Sequence, residues 1–244
     1  MQNHLFMVVV AAGAVLCGPA SNADEIRDTA DGRYEWRDNH DINGIGKFYK
    51  GREIARVTGG IPWLERPERE QEERLTLLVK SLKLQSGDRV ADIGAGAGVI
   101  SLLMAEEVLE DGYVLAVDVQ DEMLLRIQQN AKAQGLNNII PIKGSQKSPS
   151  LAPKSVDLVI MVDVYHEFEF PYEIMLEISK AIKPGGRLVF VEYRMEDPTV
   201  PIKLVHKMTQ AQVKKEMAEP AFQLKYKETI DVLPWQHIIV FNRQ

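Results

Sequence analysis

From residue 89 onward the chain alternates short apolar runs with longer stretches whose apolar positions recur every three or four residues. The runs at 89–93, 113–117, 139–142, 156–162 and 187–192 have strand length, and each follows a turn-forming residue: Asp88, Gly112, Asn138, Ser155 or Gly186. Helical spacing predicts helices over 98–109, 121–134 and 171–182. Asp121 caps the second, Gly135 closes it, and Pro184-Gly185-Gly186 stops the third. A further helix is expected over 209–217, with two closing strands over 222–230 and 237–241. Strands and helices in this alternation predict stacked βαβ units and a mostly parallel sheet. Ahead of them, residues 67–83 carry Leu75, Leu77, Leu78, Val79 and Leu82 on a charged background, the stripe of an amphipathic helix. Residues 24 to about 60 place Tyr34, Trp36, Phe48 and Tyr49 among charges with no sustained period. An N-terminal arm or lid over 24–66 and a catalytic domain over 67–244 follow from this division.

The first 23 residues differ from the rest. They hold no Asp, Glu, Lys or Arg, and residues 5–16 are almost wholly apolar, too short a run to span a bilayer. With Gly18-Pro19 as a breaker and Ser21-Asn22-Ala23 as a small-x-small site, the pattern predicts a signal peptide cut before Asp24 and a periplasmic or secreted protein with no membrane span. His4 stands where Lys or Arg is usual, so an uncleaved anchor, or a start at Met7 and a cytoplasmic protein, are the alternatives. The single cysteine, Cys17, lies in this segment, so cysteine chemistry and disulfides are excluded from the mature chain.

Length and composition narrow the class. A chain of 244 residues, 45% hydrophobic and 26% charged, suits one α/β domain and carries no signature of disorder or of a membrane bundle. Its net charge of -6 disfavours a nucleic-acid partner.

The most specific chemistry follows the first predicted strand, in Asp92-Ile93-Gly94-Ala95-Gly96-Ala97-Gly98. Glycines at alternate positions let the backbone turn sharply and approach a ligand that a Cβ would repel. Some twenty residues on, Asp118 ends the second strand, where a carboxylate can accept hydrogen bonds from both hydroxyls of a ribose. A NAD site shares both features but wants its third glycine one place later, where this chain has Val99.

With Asp92 two residues before the first glycine, the segment resembles motif I of class I methyltransferases that use S-adenosylmethionine (SAM), close to the small-molecule branch that includes ubiquinone and menaquinone biosynthesis enzymes. The resemblance covers about residues 69–194. It implies an α/β, Rossmann-like fold with a mostly parallel seven-stranded sheet and helices on both faces. It also implies that Gly94, Gly96 and Gly98 flank the methionine part of SAM, that Asp118 holds the ribose, and that Val119 and Gln120 border the adenine. Gly144-Ser145 stands where the family usually has an acid contacting the adenine amine, so that contact passes to Gln146 or to backbone. Asp163 matches the position beside the methionine amino group.

After the fourth strand, Asp163-Val164-Tyr165-His166-Glu167-Phe168 is where this fold presents side chains to a methyl acceptor. It lacks the Asn/Asp-Pro-Pro-aromatic sequence of enzymes acting on adenine or amide nitrogens, which points to a small-molecule acceptor. His166 is suited to take a proton near neutral pH, Tyr165 to orient or deprotonate an acceptor, and Glu192, ending the fifth strand, faces the same side; the alternative is that His166 bonds a loop and Tyr165 is a core aromatic. His206 and His237 are further candidates, His237 the weaker. Tyr49 and Arg52 in the arm either touch SAM or acceptor or, for Arg52, pair with Glu53 in solvent. No His-Glu-x-x-His spacing occurs and no thiolate is present, so a metal is not expected. The leading function is methyl transfer from SAM to an oxygen, sulfur or nitrogen. A non-catalytic SAM-binding module is the first rival and a NAD-dependent oxidoreductase the second.

The N-terminal pattern makes a prediction of its own. In its native host the protein should begin at Asp24 and lie outside the cytoplasmic membrane, as read by N-terminal sequencing after cell fractionation; an intact Met1 or Met7 in the cytosolic fraction overturns it.

Overall fold

The computed structural model describes residues 32–109 and 111–244; the expected signal peptide, its cleavage site and Cys17 lie outside the described residues. Seven strands form one sheet in the order β6-β5-β4-β7-β8-β10-β9. They are β4 (Arg89–Ile93), β5 (Tyr113–Asp118), β6 (Ile139–Lys143), β7 (Val156–Val162), β8 (Ile182–Tyr193), β9 (Leu224–Ile230) and β10 (Gln236–Arg243). The first five run parallel, and β10 runs antiparallel to both β8 and β9. The expected Rossmann-like, mostly parallel seven-stranded sheet is therefore present.

Period-two alternation sends each central strand's side chains to two separate cores. Ile93, Val159, Met161, Leu188, Phe190, Ile239 and Phe241 pack on one face against α6 (Pro171–Ala181) and α7 (Gln210–Met217). Val90, Leu158, Ile160, Val189, Val191, Ile238 and Val240 pack on the other against α3 (Leu75–Ser81) and α4 (Val99–Val108). Because both faces are covered, β7 and β8 read as continuous apolar runs. Helix α5 (Asp121–Gln134) lies over β5 and β6, and Gly135 at φ 70° closes it.

Three expectations are corrected. The helix expected over 67–83 is two helices, α2 (Arg69–Glu73) and α3, divided at Arg74, which adopts φ 57°. The break turns Glu73 into the interior, where it accepts hydrogen bonds from Arg66, Arg69 and the Tyr193 hydroxyl at 2.5, 2.8 and 3.0 Å. Strand β8 begins at Ile182 rather than Arg187, its pairing with β7 shifting register around Pro184-Gly185-Gly186. The aperiodic arm is in fact a three-stranded antiparallel sheet: β1 (Tyr34–Trp36), β2 (Gly44–Tyr49) and β3 (Arg52–Ala55). Tyr34, Tyr49 and Ile54 form its own small core, with Phe170 and Tyr172 against them. The alternation was hidden because this sheet buries aromatic and charged residues together, as where Lys47 lies 3.7 Å from the Phe170 ring centre and bonds the Glu169 carbonyl at 2.7 Å.

Among the ties of this sheet to the domain, one is a buried guanidinium. Arg52 donates to Glu216 on α7 at 2.7 Å and to the backbone carbonyls of His166 and Tyr165 at 3.2 and 3.4 Å. Glu216 is fully buried and accepts from the Tyr165 hydroxyl at 2.6 Å. The alternative partner Glu53 instead accepts from the Asp41 and Gly46 backbone. Removing one member of a buried pair leaves its partner as an uncompensated charge. Glu216→Ala should therefore cost about 3 kcal/mol or more in urea unfolding; a loss under about 1 kcal/mol, the value of a solvent-exposed pair, would refute this placement.

Candidate active site

A cleft of about 500 Å³ opens at the carboxyl ends of β4, β5, β7 and β8. This is the end of an open α/β sheet where ligands bind, and the size lies within the range of small-ligand sites, roughly 300–1,000 Å³. One end is the glycine turn after β4. Gly94, Gly96 and Gly98 all have positive φ, of 72°, 54° and 81°. A Cβ on Gly94 would sit 2.5 Å from Val164, and one on Gly96 would sit 2.6 Å from Leu64, so at both places the turn touches the walls opposite. Gly98 borders α5 instead, its Cβ direction meeting Ile127 at 2.9 Å, and it caps α4 without lining the cleft.

Asp118 closes the other side of this turn. Its two carboxylate oxygens accept from the Gly96 and Gln120 backbone N–H groups at 2.9 and 2.8 Å, which aims the carboxylate across the cleft and leaves each oxygen a second lone pair. Burial raises its pKa while those N–H groups oppose the rise. Val119, Gln120, Gly144, Ser145 and Gln146 continue the lining beyond it.

Asp163 ends β7 at φ 50°, an uncommon conformation for a residue other than glycine. Oδ2 accepts from Gln236 on β10 at 3.0 Å, while Oδ1 is buried with no partner. Burial and the nearby Glu73 and Glu192 hold its pKa well above the ordinary carboxylate value. A buried acceptor left unpaired at the edge of a cavity is the arrangement a cationic N–H donor would complete.

Past Asp163 the cleft reaches His166, Glu167 and His206. His166 Nδ1 lies 2.6 Å from Glu192 Oε2, and Glu192 Oε1 accepts from the Tyr165 N–H at 3.1 Å. Burial pushes His166 down to about 4 and Glu192 up to about 8. At neutral pH His166 is thus an uncharged imidazole and a weaker proton acceptor than the sequence suggested.

Nine of the predicted residues line the cleft: Gly94, Gly96, Asp118, Val119, Gln120, Gly144, Ser145, Asp163 and His166. Five lie behind it. Asp92 is buried beneath the turn, accepting from Ser101 at 2.6 Å. Gly98 caps α4. Glu192 reaches the cleft only through His166. Tyr165 is fully buried, its ring against Phe190 and its hydroxyl on Glu216. Tyr49 is fully buried in the N-terminal sheet, paired with Tyr34. Their side chains are placed by core packing, which apolar periodicity does not distinguish from a site. Arg69, Glu73 and Thr58 line the cleft without having been singled out, and Tyr193, a candidate beside Glu192, lines it too; Arg69 and Glu73 lie on α2, which is charged or polar at every position and so offers no contrast that marks them.

The cover of the cleft comes from two distant segments, Val57–Gly59 with Trp63 and Leu64, and Pro201–Lys203. The first is tied to α5 by Glu65, which bonds Arg126 at 2.7 and 2.5 Å and Asn130 at 2.8 Å.

A methyltransferase-domain family model matches residues 84–239. The chain belongs to this family. The methyltransferase domain is 30% identical over 129 residues to the uncharacterized methyltransferase YcgJ of Bacillus subtilis (strain 168), covering 52% of this chain and 50% of that protein. It is 26% identical over 123 residues to the demethylmenaquinone methyltransferase of Listeria welshimeri, covering 50% and 51%. The chain thus spans about half the length of the curated relatives it matches. Its fold matches a SAM-dependent methyltransferase from Aquifex aeolicus with a TM-score of 0.70 at 22% identity, over 75% of this chain and 97% of that one. Family and fold together imply SAM as the cofactor, and the orphaned Asp163 Oδ1, the glycine turn and the aimed Asp118 carboxylate fit it.

The glycine contact with the cover can be tested in this methyltransferase domain. Gly96→Val should abolish binding of SAM in isothermal titration, because the side chain displaces Leu64 and fills the turn, while the left-handed backbone costs roughly 1–2 kcal/mol of stability. A folded variant with unchanged affinity would refute this geometry.

Proposed function

We propose that this protein transfers a methyl group from SAM to an oxygen, sulfur or nitrogen of a small-molecule acceptor. The observation that carries the reading is one continuous, covered cleft that begins at Gly94, Gly96 and Asp118, passes the unpaired oxygen of Asp163, and ends at His166, Glu167 and His206. SAM, when bound, supplies a methyl group on a sulfonium. The chain supplies the rest. Asp118 offers its free lone pairs to the ribose hydroxyls, and Asp163 Oδ1 offers its own to the amino group. Leu64, Trp63 and Ile202 cover the cleft and exclude water, so that positioning contributes most of the rate. The acceptor lies against Phe168 and the imidazoles of His166 and His206. Two features support a small acceptor over a nucleic acid: a concave cleft of about 500 Å³ and the net charge of -6.

Titration of the purified protein with SAM and S-adenosylhomocysteine should show binding, and titration with NAD should not. Asp118→Ala should lower SAM affinity at least tenfold, since charge-assisted hydrogen bonds contribute roughly 1.5–3 kcal/mol each. An effect below threefold would give Asp118 a structural role through Gly96 alone. SAM binding without turnover on panels of phenols, thiols and amines would favour a SAM-binding module, and tight NAD binding without SAM binding would overturn the reading.

A further inference from the structure

The acceptor end of the cleft holds a side-chain group that methyl transfer alone does not require. His166 Nε2, His206 Nδ1 and Glu167 Oε1 converge there, with the candidate ligand atoms within 4.8 Å of one another. The two nitrogens are 3.2 Å apart, and His206 Nδ1 is 3.6 Å from Glu167 Oε1. Ligands about 2.1 Å from a common ion lie about 3.0 Å apart at a right angle and about 3.4 Å apart at the tetrahedral angle. The two spacings about His206 Nδ1 therefore fit neighbouring ligands of one ion. We infer that His166, His206 and Glu167 form a binding site for a divalent transition-metal ion at the acceptor end of the cleft.

Three further observations point the same way. Both histidines are more than nine-tenths buried, at 3% and 7% exposure, and His206 Nε2 has no partner, so the pair is not a solvated surface cluster. Glu192 stands 2.6 Å behind His166 Nδ1, the position of a carboxylate that orients a metal-binding imidazole by accepting its other N–H. With Nδ1–H given to Glu192, the Nε2 lone pair is the one turned toward His206 and Glu167. Glu167 Oε1 is itself held in place, accepting from the Thr58 N–H at 3.2 Å and keeping a second lone pair. Two imidazoles with one carboxylate select Zn²⁺, Co²⁺, Fe²⁺ or Ni²⁺ over Mg²⁺ or Ca²⁺, which prefer oxygen ligands.

Ligand spacing along the chain does not reveal this site, because His166 and Glu167 lie about forty residues before His206 rather than with it on one helix. Three protein ligands leave a coordination position open, as in catalytic metal sites. Its role rests on the proposed function: an acceptor hydroxyl or thiol bound there gives up its proton to solvent and meets the methyl group as an anion.

The test uses the untagged full chain, stripped with a chelator and titrated with Co²⁺ while its visible absorption is followed. One equivalent should bind, with d–d bands displaced by Zn²⁺. His206→Ala and Glu167→Gln should each weaken binding at least tenfold, and Glu192→Gln roughly tenfold through the second ligand sphere. S-adenosylhomocysteine titrations on the same samples report whether each variant is folded and test the proposed function independently. Absence of stoichiometric Co²⁺ binding in protein that binds S-adenosylhomocysteine overturns this inference alone. So does binding that His206→Ala and Glu167→Gln leave undiminished. Co²⁺ binding with no S-adenosylhomocysteine binding supports the metal site and overturns the proposed function.

Discussion

The buried ion pair between Arg52 and Glu216 is the contact on which the rest of the site depends. A guanidinium taken out of water must find carboxylate and carbonyl oxygens for its N–H groups, and in finding them Arg52 joins three different parts of the chain. Glu216 is on α7, the carbonyls belong to Tyr165 and His166 after β7, and Arg52 itself is on β3. One side chain thus joins the N-terminal sheet to α7 and to the backbone that presents His166, beside the contacts of Lys47 with Glu169 and of Lys50 with Glu219. With Tyr165 locked by Glu216 and Phe190, His166 has little freedom except to face Glu192 on one side and the cleft on the other.

The sheet obeys a simpler rule. Residues 158–162 of β7 and 188–191 of β8 are apolar throughout, and acids stand at or just past the carboxyl ends of β5, β7 and β8: Asp118, Asp163 and Glu192. These three acids are raised by burial and answered by different partners: backbone N–H for Asp118, Gln236 for one oxygen of Asp163, and His166 for Glu192. Of the cations lining the cleft, Arg69 is engaged by Glu73 at 2.8 Å, so Asp118 and Asp163 keep acceptor lone pairs for a ligand that brings its own positive charge.

Much of this was legible in the residues. The apolar runs and their turn residues located the parallel strands, and the spacing of Gly94, Gly96 and Gly98 with Asp118 marked one half of the cleft. What failed to show was whatever depends on packing between distant segments. Tyr49 and Tyr165 look like site aromatics in sequence, yet both are interior, because burial of a ring leaves no periodic trace. The N-terminal sheet was unreadable because Lys47 and Arg52 are buried within it through cation-ring contacts and ion pairs, reversing the usual meaning of charge. Arg74 likewise breaks a helix that propensity would continue, since turning Glu73 inward to Arg66, Arg69 and Tyr193 outweighs one turn of regular hydrogen bonding.

The two fastenings of the structure's cover differ in kind. Arg52 holds its end of the N-terminal segment in the dry interior, whereas Glu65 holds the other end to Arg126 and Asn130 on α5 in partial contact with water, at 23% and 38% side-chain exposure for the ion pair. Dissolved ions act on the second and scarcely on the first, since at physiological ionic strength charges exposed to solvent are screened over about 8 Å. Rising ionic strength therefore weakens the tie between Glu65 and α5 while leaving the Arg52 anchor nearly unchanged.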